Sequence, residues 1–204
     1  SHKHIQWGQK FQANSKHFHT GSECDLHNRS TIHVGYVSPD FRQHAWSYFL
    51  EPILLNHDKQ KVKVFCYSNV MREDKKTEFF KAISDQWRDI SGLSDEQAAQ
   101  MIANDEIDIL VNLAGHTSRN RLSLFALKPA HIQAILGHYQ CTTGLSAIDY
   151  RITDRWVDPP ESKELYCETL SYLAYGSLCY SPPSYVPETH LSPAEKNGHL
   201  AFGS

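Results

Sequence analysis

At 204 residues, 40% of them hydrophobic and 21% charged, the chain has the length and balance of one globular domain with a real core. Its net charge of −3 argues against binding to nucleic acid or to an anionic membrane surface. No apolar run approaches the roughly 18 residues of a membrane span, and the polar start SHKHIQWGQK is not a secretory signal. The five cysteines (Cys24, Cys66, Cys141, Cys167 and Cys179) are odd in number, widely spaced and never in a CxxC pair. That pattern reads as reduced thiols in a cytoplasmic protein, not a disulfide frame or a zinc site. Thirteen histidines invite a metal reading, but His2, His4, His17, His19 and His27 crowd a segment without periodicity, so no metal site is expected.

Residues 1–30 read as an N-terminal extension, a short helix at 5–11 followed by polar linker. A lobe then runs over 31–180. Its first strand is 31–38 (TIHVGYVS), broken by Ser38-Pro39-Asp40, and residues 45–56 have the apolar spacing of a helix on a sheet despite Pro52. Strand 61–67, helix 74–83 and a short strand at 87–90 follow. Ser94 and Gln97 form a capping box with Leu93 and Ala98 as its staple, so a helix runs from there to about residue 104. Residues 107–113 (IDILVNL) are an almost continuous apolar run, too short for a helix and bounded by turn formers, as in a parallel strand covered on both faces. A helix at 118–127 and strands at 131–136, 148–153 and 168–172 complete the pattern, with 154–160 as loop. Alternation of strand and helix with short joints predicts a Rossmann-like, mostly parallel sheet with right-handed crossovers and helices on both faces. From residue 181 the chain holds four of its nine prolines and no period, and reads as linker until HLAF near the end turns apolar like a strand beginning.

The chemistry-bearing residues gather at predicted strand ends, where open α/β sheets place ligands. The first strand lacks a G-x-G-x-x-G turn, and no P-loop, G-x-S-x-G elbow or H-E-x-x-H is present; dehydrogenase, NTPase, hydrolase and zinc-protease readings fall away. His44 follows the first strand, with Asp40 four residues before it. An imidazole there could take a proton from a hydroxyl near neutral pH, and an exposed or capping histidine is the competing reading. Gly115, His116 and Thr117 follow the strand at 107–113. Gly137 and His138, then Thr142, Thr143 and Gly144, follow the strand at 131–136, where glycines admit close backbone approach to a hydroxyl-rich or phosphate ligand. Asp105-Glu106 reads as a solvated helix end.

In order along residues 30–204, IHVGYVSPDFRQH, VKVFCYSN, IDILVNLAGHT, RLSLFALKPAHIQA, TTGLSAIDYRITDRWVDPP, LCYSPP and GHLAFGS resemble the N-terminal catalytic lobe of the O-linked N-acetylglucosamine transferase family, on its SPINDLY-like bacterial and plant side. The resemblance implies one lobe of a GT-B fold, with a second lobe and tetratricopeptide repeats in the parent chain. It implies an inverting, metal-independent transferase moving a sugar to Ser or Thr of proteins, with UDP-N-acetylglucosamine as donor ahead of GDP-fucose. His44 matches a histidine given as base or as polar group beside the acceptor hydroxyl. Gly115-His116-Thr117 matches a loop facing the sugar, and Thr142-Thr143-Gly144 a turn beside the donor. The family pattern LGYPGTTG stands as LGHYQCTTG in this chain, which changes the loop around His138. Residues 181–204 then lead toward a lobe that is absent, so the fragment alone is expected to be inactive. The alternative is a non-catalytic Rossmann-like protein-interaction module; a sugar-nucleotide epimerase or dehydrogenase lacks its glycine fingerprint.

Overall fold

The computed structural model describes residues 2–12, 18, 30–137, 139–183, 185–186 and 191–200. After the N-terminal helix α1 (His2–Gln12) come β1 (Ile32–Ser38), α2 (Ser47–Leu55), β2 (Val62–Ser68), α3 (Lys75–Ile83), β3 (Gln86–Asp89), α4 (Asp95–Asn104), β4 (Ile109–Asn112), α5 (Leu122–Ala126), β5 (Ile132–Leu136), β6 (Tyr150–Thr153), β7 (Thr169–Tyr172) and α6 (Pro193–Asn197). The seven strands form one sheet in the order β3-β2-β1-β4-β5-β6-β7, and every neighbouring pair is parallel. The expected mostly parallel α/β sheet is thus parallel throughout.

Strand alternation divides the core in two. Val34, Tyr36, Val64, Cys66 and Val111 point to the side carrying Leu50 and Leu54 of α2 and Phe80 of α3. Val37, Phe65, Tyr67 and Leu110 point the other way, toward Ala98, Ala99 and Ile102 of α4 and Leu122 and Phe125 of α5. Each fully buried side chain such as Leu50, Leu110 or Phe125 contributes about 1.5–3 kcal/mol. Gly35 belongs to the second face: a Cβ there would meet Leu110 Cδ1 and Tyr67 Cε2 at 2.9 Å. The chain runs β1-β2-β3 toward one edge, then returns to lay β4 on the far side of β1. Loops leaving β1 and β4 therefore diverge at the carboxyl edge and open a crevice between them.

Local signals explain most boundaries. Ser94 Oγ accepts the Gln97 amide and Gln97 Oε1 accepts the Ser94 amide, the capping box expected for α4. Asp74 does the same for α3, taking the amides of Lys76 and Thr77 on Oδ1. Four expectations are corrected. α5 begins at Leu122, not 118, because residues 114–120 are consumed by turns in which Thr117 caps Ala114 and Asn120 reaches back to Thr117. Pro160, expected to end a loop, instead starts a 3-10 helix, Pro160–Leu165, with proline at its first turn. The tail contains α6, capped by Ser192 and Glu195 and ended by Gly198 at φ 70°. Asp105 is no solvated helix end: its carboxylate takes two bonds from Arg88, at 2.9 and 3.1 Å, and one from Tyr67 Oη at 2.8 Å. Residues 199–200 carry no strand, and the rest of the expected HLAF strand lies outside the described residues, as do His17, His19, His27 and Cys24. Among the described residues no helix is long and apolar enough to cross a membrane.

Candidate functional site

The loops after β1, β2 and β4 enclose a cleft of about 850 Å³ at the crevice, lined among others by Asp40, Arg42, His44, Arg72, Thr117 and Arg119. His44 and Thr117, singled out on separate strand ends, share this opening. The turn after β1 is set by Ser38 Oγ, which accepts the Asp40 amide at 2.9 Å. Trp46 is buried behind it and its amide donates to His44 Nδ1 at 3.2 Å; the His44 carbonyl accepts from Ser47 N at 3.0 Å and Ser47 Oγ at 2.7 Å. With Nδ1 occupied as an acceptor, a neutral His44 carries its proton on Nε2, which lies 3.9 Å from Asp40 Oδ1. The imidazole thus offers the cleft an N–H, steadied by a carboxylate that also takes Arg42 Nη2 at 3.2 Å. Use of Nε2 as a base requires the proton to move to Nδ1 and the bond to Trp46 to break.

The 114–117 loop is held from within. Asn112 Oδ1, at the end of β4, accepts the amides of Ala114 (3.0 Å) and Gly115 (2.7 Å), and Gly115 turns at φ 55°. Thr117 faces the cleft. The His116 ring lies elsewhere: its Nε2 meets the Thr143 carbonyl at 2.7 Å, it stacks on His4 at 4.3 Å with planes 13° apart, and Trp7 approaches it edge-on at 5.0 Å. Tyr139 closes the group, with its hydroxyl 3.1 Å from His4 Nε2. α1, read from sequence as an extension, is docked over this loop. Burial, and after it the neighbouring His116, lower the pKa of His4 below the ordinary imidazole value.

Thr142, Thr143 and Gly144 form the floor beneath α1. Gly144 adopts φ 79°, and a Cβ on it would lie 2.0 Å from the His4 carbonyl oxygen. Both threonine hydroxyls are committed to the buried carboxylate of Glu168: Thr142 Oγ1 donates to Oε2 at 2.7 Å, while Thr143 gives its amide to Oε1 at 2.7 Å and its hydroxyl to the same oxygen. Sequence reading missed Glu168, because nothing local marks a carboxylate whose partners sit 25 residues away. Gly137, at φ 137°, lines a separate cavity of about 110 Å³ with Trp46, Phe49 and Arg151, outside the His44 cleft. His138 lies outside the described residues. Below that cavity Arg151 and Asp158 pair at 2.6 Å, both buried, with Thr153 and Tyr166 hydroxyls on the same carboxylate. Among the described residues no group of three or more His, Cys, Asp or Glu is placed to hold a metal ion.

The profile of glycosyl transferase family 41 matches residues 9–179, a span that contains all seven strands and every residue of the cleft. The chain belongs to that family. Among its family 41 relatives, the SPINDLY protein of Solanum lycopersicum is 38% identical over 98% of this chain, and that of Hordeum vulgare 40% over the same share. Both carry the name "Probable UDP-N-acetylglucosamine–peptide N-acetylglucosaminyltransferase SPINDLY". An O-GlcNAc transferase of Thermobaculum terrenum, solved as a lysine-to-methionine mutant, superposes on 93% of this chain with a TM-score of 0.85 at 36% identity. This family 41 chain spans 22% of the length of the two plant relatives and 36% of the bacterial chain.

Proposed function

We propose that this lobe is the acceptor side of an inverting protein O-glycosyltransferase that moves N-acetylglucosamine from UDP-N-acetylglucosamine to Ser or Thr of proteins. The observation that carries the reading is the cleft shared by His44 and Thr117 at the sheet's crevice, in a chain of family 41. The names of the relatives support N-acetylglucosamine over fucose as the sugar. A serine or threonine hydroxyl enters beside His44, whose Nε2–H binds and orients the acceptor; the Trp46 amide on Nδ1 keeps that proton on Nε2. The 142–144 turn contributes shape to the donor side, since its hydroxyls are spent on Glu168. The nucleotide is gripped by a second GT-B lobe in the parent chain, which supplies the cations that stabilise the departing diphosphate. Tetratricopeptide repeats in the parent present the protein substrates, and the resident lobe requires no metal or cofactor of its own. A cytoplasmic setting agrees with the free thiols of Cys66, Cys141, Cys167 and Cys179.

The test uses the full-length parent with labelled UDP-N-acetylglucosamine and, in parallel, GDP-fucose. Transfer of N-acetylglucosamine to protein hydroxyls, reduced in His44→Ala, supports the reading; nicotinamide-dependent chemistry or fucose transfer alone overturns it. His44→Gln separates the two roles of the imidazole. A donor role leaves His44→Gln within about tenfold of wild type, whereas loss of a general base costs about 10²–10⁴-fold.

A further inference from the structure

The charges of the cleft do not cancel. Asp40 is paired with Arg42, Glu73 Oε2 takes Lys81 Nζ at 2.6 Å, and Asp74 spends its carboxylate on the amides of Gln43, Lys76 and Thr77. Every lining carboxylate therefore has its counter-charge or its donors. Arg72 and Arg119 have neither: among the described residues their exposed guanidinium groups make no hydrogen bond or ion pair. They leave the loops after β2 and β4, the two strands that flank β1, so they bracket the loop bearing His44. Arg119 also stands at φ 58°, a backbone conformation that costs an ordinary residue about 1–2 kcal/mol and costs glycine almost nothing. Its carbonyl is pinned by Asn69 Nδ2 at 3.0 Å, and Asn69 Oδ1 is held in turn by Arg121 Nη1 at 3.3 Å. A strained turn that carries a free guanidinium into a cleft is a placement made for the side chain.

We infer that Arg72 and Arg119 select acceptor segments bearing a carboxylate beside the reacting Ser or Thr, so that the protein substrates of this lobe are acidic around the modified hydroxyl. The inference rests on the proposed transferase reading and names the acceptor class for that same site. A peptide laid in extended form along the carboxyl edge places its hydroxyl at His44 and its flanking residues toward the two guanidiniums. A planar, always-charged fork fits a carboxylate bidentately. The donor diphosphate is the other anion in the reaction, and it is less well served here. The two cations lie on exposed loops on the β2 and β4 side, whereas the 142–144 turn assigned to the donor side follows β5.

The experiment measures kcat/KM of the full-length enzyme for peptide pairs that differ only in Asp or Glu against Asn or Gln at the positions flanking the hydroxyl, at low and high salt. Wild type is expected to favour the acidic member roughly tenfold, in KM and not in kcat, with the preference shrinking at high salt as two exposed ion pairs should. Arg72→Gln with Arg119→Gly abolishes the preference and leaves the neutral peptide and the KM for the nucleotide sugar unchanged. Glycine is chosen because it accepts the left-handed turn, and Arg119→Lys restores part of the preference. Equal use of acidic and neutral peptides by wild type overturns the inference while the transferase reading stands. A rise in the KM for the nucleotide sugar in the double variant, with the peptide preference intact, also overturns it and assigns the pair to the diphosphate. Failure to modify any peptide with any sugar nucleotide sinks the transferase reading, and this inference with it.

Discussion

Glu168 shows how much of the site is decided by single residues outside it. Its buried carboxylate closes the turn at 142–144 through two hydroxyls and an amide. Glu168→Ala leaves those groups without a partner in the interior and is expected to lower stability by about 2–3 kcal/mol, read as a fall in the unfolding midpoint. Asp154 works the same way at the far end of β6. Hydrogen bonds from Ser177 Oγ first, then from the amides of Val157, Ser177 and Trp156, hold its pKa at about 2. A carboxylate depressed in the fold below its unfolded value of about 3.9 adds stability that is fully present above that value and is lost as pH falls toward 2. The 173–178 segment is therefore expected to gain hydrogen exchange between about pH 4 and 2, beyond the intrinsic rate change, and Asp154→Asn should remove that acid dependence. Neither residue was legible as a keystone in the sequence. Thr142 and Thr143 stood out by their chemistry, but their hydroxyls were read as facing a ligand because a lone Glu 25 residues later carries no pattern. The place of His44 beside the cleft was legible, since it lies in the turn that follows the first strand.

At the scale of elements, legibility followed the range of the forces. α4 could be placed from its capping box, and β1, β2 and β4 from apolar runs, because those signals are local. α6 carried an equally local signal, Ser192-Pro193-Ala194-Glu195, that the surrounding prolines hid. The docking of α1 could not be read, because it depends on two glycines meeting across 136 positions, Gly8 and Gly144. A Cβ on Gly8 would lie 1.8 Å from the Gly144 carbonyl oxygen. Gly8→Ala should therefore lift the helix at a cost of about 1–3 kcal/mol, seen as lost amide protection in α1 and at 114–117 while the sheet is unchanged. His4 adds a pH dependence whose sign follows from its burial. His4 is lowered in the fold, so its contribution is complete above the unfolded value of about 6.5 and declines below it. Protection of α1 is expected to weaken from pH 7 to 5, and His4→Phe, which keeps a flat ring on His116, should flatten that response.

For the whole molecule, the parallel sheet and its two covered faces were the most readable property. Seven strands separated by short helices have few other ways to bury their sides. On the proposed reading, the lobe is one wall of a reaction chamber, and the charges that grip the diphosphate belong to the second lobe of the parent. The isolated 204 residues are accordingly expected to give no sugar transfer under conditions where the full-length parent turns over. Detectable transfer by the lobe alone, at a rate above that of its His44→Ala variant, would contradict the two-walled arrangement.

The roof that α1 forms over His116 has a practical consequence for anyone trimming this protein. A minimal fragment drawn at the first strand keeps the entire sheet and looks complete by every measure of its core. It would nevertheless bare the His116 ring and the Gly144 backbone to water, and uncouple the loop after β4 from the turn after β5. Measurements on such a fragment would describe a 114–117 loop and a 142–144 turn stripped of the helix that packs on them here.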